Sequence, residues 1–555
     1  ISKAISQQSS ASWFVPRSSH SCPKKSKSRR RRKERERVIS ADKFLRQQGM
    51  VDQTALGNLR VFLSGSAEGV AELIVLLYQL GVGSGEGQIG FYENNLSVNN
   101  VFWSLMFPEA ETLHAVSISH GSMFQSIPTG TMDANLWDVH LNLNGLDTSV
   151  DADLFGCIAG ARALISTQAI PQRNTLCEQH PLSPSLRTAT AAAMVERMLM
   201  QCHLANKVTV SDAWYTLTCR IETLDLEEAK AFVQGIKGEV LSLQPSADGL
   251  ATLARYRLPS PHGDSPFSKL KIASMDVMPG PWTLDLGVVE WNASPCEIDQ
   301  GWTPSMNETV ILGAGGLGSW ATPLLATEFR EGTIHIIDGD DSIELHNLNR
   351  QVLYQEEHVG MSKATVAVEQ LSKINPNVEF LGYQEYLLPH HLSFDDPDDP
   401  DSFDLDEEPS ENRLYLPLSK SQIYLACLDN MRTRTLLNEA SIEFEAVMIN
   451  GAGESSNGVV ERFNQNEGCM VCRYGRETAY ALEVVSCTEE GKRPIASIVT
   501  TTAWVGSMMS AYALLESANL NASYAQRMEW NRGGVSRMAV AEKPPWIHDT
   551  CSSHI

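Results

Sequence analysis

The sequence predicts an α/β protein made of two doubly wound units with a small α/β insert between them. Three observations support this prediction. A short apolar run at residues 310–312 leads directly into a glycine-rich loop and then a helical pattern. Residues 40–110 repeat the same order of features in weaker form. The length of 555 residues leaves room for three or four domains.

The expected organisation divides the chain into four segments. Residues 1–38 contain a basic, serine-flanked run, which predicts a disordered tail or, alternatively, a nuclear-localisation or nucleic-acid segment. Residues 39–204 and 301–555 form the two units, and residues 205–300 form the insert, to which the sequence assigns no role. The net charge of −23 disfavours nonspecific binding of nucleic acid.

The second unit begins with the strand, loop and helix of a dinucleotide-binding fold. The glycines of the loop leave room for a phosphate beside the amide groups that open the helix. Asp338 closes the next predicted strand 20 residues after the last of these glycines, where a carboxylate meets a ribose hydroxyl. The loop glycines are Gly313, Gly315, Gly316 and Gly318. The pattern therefore predicts nucleotide binding.

The residues after this strand resemble the family of ubiquitin-activating enzymes and their bacterial ThiF, MoeB and HesA relatives. The family joins its glycine loop to Asp-x-Asp, Asn-Leu-x-Arg-Gln and Val-Gly-x-x-Lys, and the same elements lead here to Lys363. The interval from Asp338 to Asn347 is one residue longer than in the family, which leaves Asp340 and Asp341 as alternatives for the second acid. The resemblance implies two Rossmann-like ThiF-type adenylation domains that form a pseudo-dimer within one chain.

The resemblance also implies the roles of the site residues. Asp429, which follows the apolar run at residues 423–426, would hold Mg²⁺. Arg350 and Lys363 would stabilise the charge of the departing pyrophosphate, together with Arg46, which reaches across from the first unit. The ATP-binding residues implied are the four loop glycines, Asp338, Asp340, Asn347, Gln351, Lys363 and Asp429.

The eleven cysteines predict a metal site and a nucleophile rather than a disulfide framework, because most stand alone and no secretory signal is present. Cys469 and Cys472 have the spacing of a zinc half-site, which Cys551 and His554 would complete. The resemblance implies that Cys487 is the cysteine that forms a thioester with the substrate. The alternative for Cys487 is a structural role near the start of a helix.

The first unit looks like a disabled copy of the second. The segment at residues 65–69 stands where the glycine loop is expected but lacks two of its glycines. Glu68 brings a negative charge to the expected phosphate position. The sequence therefore predicts that the first unit does not adenylate.

Together these features predict ATP-dependent activation of the C-terminal carboxylate of a ubiquitin-like protein. A thioester on Cys487 and transfer to a conjugating enzyme would follow. The alternatives are adenylation alone, of a sulfur carrier or a peptide, and a non-catalytic scaffold with the same fold. The expected cofactors are ATP, Mg²⁺ and Zn²⁺. Because the sequence has no apolar run of about 18 residues, we expect a cytoplasmic protein without a membrane contact.

Overall fold

Three β-sheets and their flanking helices make up the chain as the computed structural model describes it. The described residues are 43–47, 49–144, 152–159, 162–166, 182–202, 204, 214–221, 225–235, 239–245, 252–259, 308–392, 414–466, 468–474, 479, 497–517, 527–531 and 534–539. The predicted basic tail at residues 1–38 lies outside them, as do Cys487, Cys551 and His554. Within these residues no helix combines the length and the apolar character that a membrane crossing requires.

The first sheet has six strands and is parallel except at one edge. Its elements are α1 (Gln53–Asn58), β1 (Arg60–Gly65), α2 (Ala67–Leu80), β2 (Gln88–Tyr92), α3 (Val101–Met106), α4 (Leu113–Ser119), β3 (Phe124–Ile127), β4 (Val139–Leu143), β5 (Leu154–Ala159), β6 (Arg162–Ser166) and α5 (Ser183–Gln201). The strand order is β3-β2-β1-β4-β5-β6, with β5 and β6 antiparallel. Val61, Phe62 and Leu63 of β1 are fully buried, as in a strand covered on both faces.

The insert is a small antiparallel sheet with one helix. It contains β7 (Trp214–Ile221), α6 (Leu226–Gly235), β8 (Glu239–Pro245) and β9 (Thr252–Pro259), and its strand order is β7-β9-β8.

The second sheet has eight strands. Its elements are β10 (Glu308–Leu312), α7 (Gly318–Glu328), β11 (Gly332–Ile337), α8 (Lys363–Ile374), β12 (Val378–Tyr383), α9 (Tyr415–Lys420), β13 (Ile423–Ala426), α10 (Met431–Glu443), β14 (Val447–Glu454), β15 (Asn457–Phe463), α11 (Met470–Tyr474), α12 (Val499–Ser517), β16 (Arg527–Asn531) and β17 (Gly534–Ala539). The order is β12-β11-β10-β13-β14-β15-β16-β17, and β17 lies beside β7 of the insert. Strands β10 to β14 pair in parallel, and β15, β16 and β17 are joined to the sheet by antiparallel pairing.

The two large sheets share one strand order. In the first sheet the order β3-β2-β1-β4-β5 is parallel and ends with antiparallel β6. In the second sheet β12-β11-β10-β13-β14 is parallel and continues with antiparallel β15. The coarse prediction of an α/β chain with two parallel-rich sheets is therefore confirmed.

Two long helices join the sheets along a shared core. Helices α5 and α12 pack against each other, and one hydrophobic core contains residues from both sheets. Their facing residues are small enough for close approach, and the Ser185 and Ser510 hydroxyls lie 3.3 Å apart. The Thr500 hydroxyl donates to the buried Glu196 carboxylate at 2.6 Å. A ring contact of 4.6 Å between Phe102 and Trp320 links α3 to α7. These contacts fix how the first sheet faces the site described next.

Candidate active site

A cavity of about 900 Å³ opens at the carboxyl ends of the central strands of the second sheet. Ligands of open parallel sheets bind at this edge, where the loops after the strands converge. Among the residues lining the cavity are the predicted ATP-binding and catalytic residues that the structure describes: Arg46, Gly313, Gly315, Gly316, Asp338, Asp340, Asn347, Arg350, Gln351, Lys363 and Asp429. Gly318 lies just behind them, as the first residue of α7.

The glycines of the loop between β10 and α7 serve two different purposes. Gly313 has a φ of +98°, and a Cβ there would lie 2.4 Å from the Cys427 carbonyl oxygen. At Gly318 a Cβ would lie 2.0 Å from the Gly313 carbonyl oxygen. These two positions need glycine for the backbone to close. At Gly315, in contrast, a Cβ would meet only the Gln351 side chain, at 3.7 Å. Glycine at position 315 therefore leaves space in the cavity, and the backbone conformation does not require it.

Asp338 braces this loop against the end of β11. One carboxylate oxygen accepts the Ala314 amide at 2.6 Å, and the other accepts the Asp340 amide at 2.9 Å. Burial raises the pKa of the Asp338 carboxyl, and the positive charge of Lys363 opposes that shift. The carboxylate is thus held at the strand end where a ribose is bound in folds of this type.

Lys363 is the first residue of α8, and its ammonium group points into the cavity. The side chain is 6% exposed and forms an ion pair with the Asp340 carboxylate. Asp341 is exposed and also lines the cavity. Of the two alternatives for the second acidic position, Asp340 is therefore the one that contacts Lys363.

Arg350 lies on the other side of the glycine loop. Its guanidinium donates to the carbonyl oxygen of His346 at 3.1 Å and to the Asn347 side chain at 3.3 Å. The Trp320 indole fixes its backbone by donating to the Arg350 carbonyl at 2.8 Å. Next to it, the Gln351 side-chain oxygen is buried and has no hydrogen-bond partner among the described residues. This oxygen is an acceptor that a ligand can use.

Arg46 brings a third cation into the cavity, from the first half of the chain. It belongs to a short 3-10 helix, Leu45–Gln47, and its side chain is 6% exposed. Its carbonyl oxygen accepts the Ser497 amide at 3.0 Å, which ties this helix to the second half. Burial lowers the pKa of His346; Glu344 opposes this shift, and the positive charges of Arg46, Arg350 and Lys363 add to it.

Asp429 stands at the open side of the cavity, just after β13. Its carboxylate is exposed, and its neighbour Asn430 caps α10 by accepting the Thr433 amide at 2.9 Å. Arg434 lies one turn further along α10 and donates to the Gly451 carbonyl oxygen at 3.0 Å. The helix cap and this arginine fix the position of the carboxylate at the end of the strand.

The corresponding edge of the first sheet has no such loop. The connection between β1 and α2 is a single residue, Ser66, whose hydroxyl caps the helix by accepting the Gly69 amide at 3.1 Å. A Cβ on Gly65 would lie 1.9 Å from the Leu143 carbonyl oxygen. The sequence predicts from the missing glycines and from Glu68 that this unit does not adenylate. In the structure this edge has no loop between strand and helix, and the Gly69 amide is already bonded to Ser66.

The two described cysteines of the predicted zinc site lie side by side. The sulfur atoms of Cys469 and Cys472 are 3.7 Å apart, and both side chains are buried at the start of α11. A disulfide requires about 2.05 Å between its sulfurs. No group of three or more potential metal ligands occurs within the part of the chain that the structure describes.

The sequence missed the residues that line the far part of the cavity. They belong to the segment after β12, to α10 and to strands β14, β15 and β16, which have no motif of their own. They are Glu385, Tyr386, Leu387, Arg434, Glu454, Asn457, Arg527, Glu529 and Trp530. The aromatic residue Tyr386, three residues after the end of β12, was the one signal that could have marked this wall.

Comparison with known proteins matches the model of the ThiF family to residues 305–547. The "Adenylyltransferase and sulfurtransferase UBA4" of Meyerozyma guilliermondii is 31% identical over 185 residues, which are 33% of this chain and 38% of that protein. The "Adenylyltransferase and sulfurtransferase MOCS3" of Drosophila sechellia is 29% identical over 167 residues, 30% of this chain and 32% of that protein. The aligned part therefore spans less than two fifths of each relative's length.

Among solved structures, the crystal structure of E. coli MccB with ATP aligns at 19% identity and a TM-score of 0.33. The alignment covers 45% of this chain and 66% of that one. The matched residues include the glycine loop, Arg350, Lys363 and Asp429 but not Arg46, and the match confirms the resemblance found in the sequence. Residues 305–547 thus form an E1-like adenylation domain of the ThiF family, distantly homologous to UBA4 and MOCS3.

Proposed function

We propose that this chain uses Mg-ATP to adenylate the C-terminal carboxylate of a ubiquitin-like protein. A carboxylate oxygen attacks the α-phosphorus of ATP, the bond between that phosphorus and the bridging oxygen of pyrophosphate breaks, and an acyl adenylate forms. One observation carries the proposal. Arg46, Arg350 and Lys363 are each less than 8% exposed, yet all three line one cavity beside a glycine loop. This concentration of buried positive charge suits a triphosphate that loses pyrophosphate.

In this proposal the loop glycines and Asp338 hold the nucleotide, and the cations act on the phosphates. The amides at the start of α7 face the phosphates, since Gly315 leaves the approach open. Asp338 accepts a ribose hydroxyl, while Asn347 and Gln351 contact the phosphates beside Arg350. Lys363 leaves Asp340 and turns to the phosphates when ATP binds.

Asp429 is the residue that we propose to hold Mg²⁺. Its exposed carboxylate lines the cavity at the end of a strand, and Mg²⁺ prefers one or two carboxylates together with phosphate oxygens. The metal would neutralise charge on the departing pyrophosphate. The donor set of one carboxylate with room for phosphate and water oxygens fits this ion.

We further propose that residues 39–204 are a disabled second copy of the adenylation domain and that the chain is a pseudo-dimer. The repeated strand order and the missing loop after β1 support this view. The copy would then contribute Arg46 to the cavity of the second sheet. The edge of its own sheet would catalyse nothing. Residues 205–300 are the insert between the copies, and residues 301–555 are the active copy with the cysteine segment and the zinc site.

Zinc is proposed as a structural metal at Cys469 and Cys472, with Cys551 and His554 as the remaining ligands. Tetrahedral zinc with Zn–S bonds of about 2.3 Å separates its sulfurs by about 3.8 Å. The observed separation of 3.7 Å supports such a site. The zinc would join the described helix α11 to the end of the chain.

After adenylation, the proposed nucleophile is the Cys487 thiolate. Its sulfur attacks the acyl carbon, AMP leaves, and the carrier remains as a thioester. A conjugating enzyme would then take the acyl group from Cys487. The proposal for this step rests on the sequence resemblance.

A second candidate is adenylation without a thioester, for a sulfur-carrier protein or a peptide C-terminus. The names of the UBA4 and MOCS3 relatives, which describe adenylyltransferases and sulfurtransferases, favour this candidate. A non-catalytic scaffold with the same fold is the remaining alternative.

Exchange of labelled pyrophosphate into ATP separates the two adenylation candidates from the scaffold alternative. The probes are the purified ubiquitin-like and sulfur-carrier proteins of the source organism that end in glycine. Exchange with at least one of them is expected, and none with any of them would leave the scaffold alternative standing. With the carrier found, Cys487→Ala should keep exchange and lose the thiol-sensitive carrier adduct. An adduct that persists in this variant would remove Cys487 from the reaction.

A further inference from the structure

Tyr386 has contacts and an exposure that the proposed roles do not explain. It follows β12 by three residues, and its side chain is 62% exposed, although it also lines the cavity. One side of its ring lies against Gly339, where a Cβ would be 2.4 Å from the ring. Its hydroxyl donates to the Asp340 carboxylate at 3.2 Å. A large ring is thus fixed at two points and remains open to the cavity.

The order of the strands indicates which part of a bound nucleotide would lie next to the Tyr386 ring. Strand β10 ends in the glycine loop, its neighbour β11 ends at Asp338, and the next neighbour β12 leads to Tyr386. A nucleotide whose phosphates lie at the loop places its ribose at Asp338. The base then extends along the same edge toward the third strand. Gly339 has no side chain that would stand between the ribose and the ring.

We propose that Tyr386 is the residue that stacks on the base of the bound nucleotide. This inference rests on the proposed function, because it takes ATP as the ligand of the cavity. An aromatic face that is largely exposed gains most from a flat partner, and every base offers one.

The test measures ATP binding and tripolyphosphate binding by calorimetry in the full-length chain. Tyr386→Ala should weaken ATP binding by about 5-fold to 100-fold, the range of a stacked base–aromatic contact. Tyr386→Phe keeps the ring and should stay within about 3-fold of the wild type, since water replaces an exposed hydrogen bond at little cost. Leu388→Ala is the matched control, because Leu388 is 46% exposed on the same segment and does not line the cavity.

Tripolyphosphate has no base, so its affinity should be the same in the wild type and in Tyr386→Ala. Equal losses for ATP and tripolyphosphate would mean that Tyr386 merely supports the loop, and an unchanged ATP affinity would mean that it touches no base. Either result overturns the inference. If the wild type binds ATP through Tyr386 but exchanges no pyrophosphate, the stacking contact stands and the proposed function fails. A wild type that binds no ATP would overturn both.

Discussion

Replacement of Arg46 by alanine tests whether the first half of the chain takes part in catalysis. The guanidinium is buried, lines the nucleotide cavity and lies close enough to His346 to lower that residue's pKa. Loss of one preorganised donor for a developing negative charge costs about 3–4 kcal/mol, or roughly 10²–10³-fold in rate. We therefore expect pyrophosphate exchange in Arg46→Ala to fall by this factor.

The fold should survive this change. The Arg46 backbone, not its side chain, holds the Ser497 amide, and Gln47 keeps its own bond of 2.9 Å to the Leu80 carbonyl oxygen. Zinc content and melting temperature should therefore remain within error of the wild type. Arg60→Ala is the matched control, because Arg60 is exposed on the same half and outside the cavity. An exchange rate in Arg46→Ala equal to that of the Arg60→Ala control would refute the role of Arg46.

Three further predictions address the loop, a buried acid and the metal. Gly313→Ala should lower the free energy of unfolding by about 2 kcal/mol or more, because L-residues are strained at positive φ and the Cys427 carbonyl lies 2.4 Å from the new Cβ. Gly315→Ala should unfold like the wild type in urea but bind ATP more weakly. Equal stability losses in the two variants would contradict the assignment of Gly313 to the backbone and of Gly315 to the cavity. Burial raises the pKa of the Glu328 carboxyl from 4.5 to about 7. Between these pH values the folded state binds more protons than the unfolded state, so the folded protein loses stability as the pH rises. Glu328→Gln should therefore be about 1–3 kcal/mol more stable than the wild type at pH 8 and similar at pH 4, and a gain independent of pH would be contrary to this reasoning. Cys469→Ala should lose zinc by elemental analysis and melt at a lower temperature, whereas Cys157→Ala should keep its zinc, and metal content unaffected by Cys469→Ala would count against the site.

Much of the site could be predicted from sequence because its residues are close together along the chain. The glycine loop, Asp338, Arg350 and Lys363 fall within about 50 residues of one βαβ unit, and local spacing decides where such groups lie. The fold followed from the same signals, since apolar runs and glycine loops mark strands that end at one edge. Arg46 was found only through the resemblance, because nothing in its local sequence indicates a contact 300 residues away.

The remaining wall of the cavity could not be predicted. Arg527 and Trp530 reach it from β16, whose place depends on antiparallel pairing with β15, and that register leaves no motif. The direct connection from β1 to α2 in the first sheet could not be predicted either. From the sequence, Ser66 is compatible with a loop residue or with a helix cap. In the structure its hydroxyl accepts the Gly69 amide, which identifies it as the cap of α2.

The number of ATP molecules bound per chain shows whether the second sheet alone carries a nucleotide site. Two similar sheets are present, but only the second has the loop between strand and helix, and only its cavity is lined by Arg46, Arg350 and Lys363 within the described residues. Calorimetric titration with Mg-ATP should therefore give one site per chain in the wild type and none at the same concentrations in Gly316→Asp, which places a carboxylate at the phosphate position. Two sites per chain, or one site that Gly316→Asp leaves unchanged, would contradict the account.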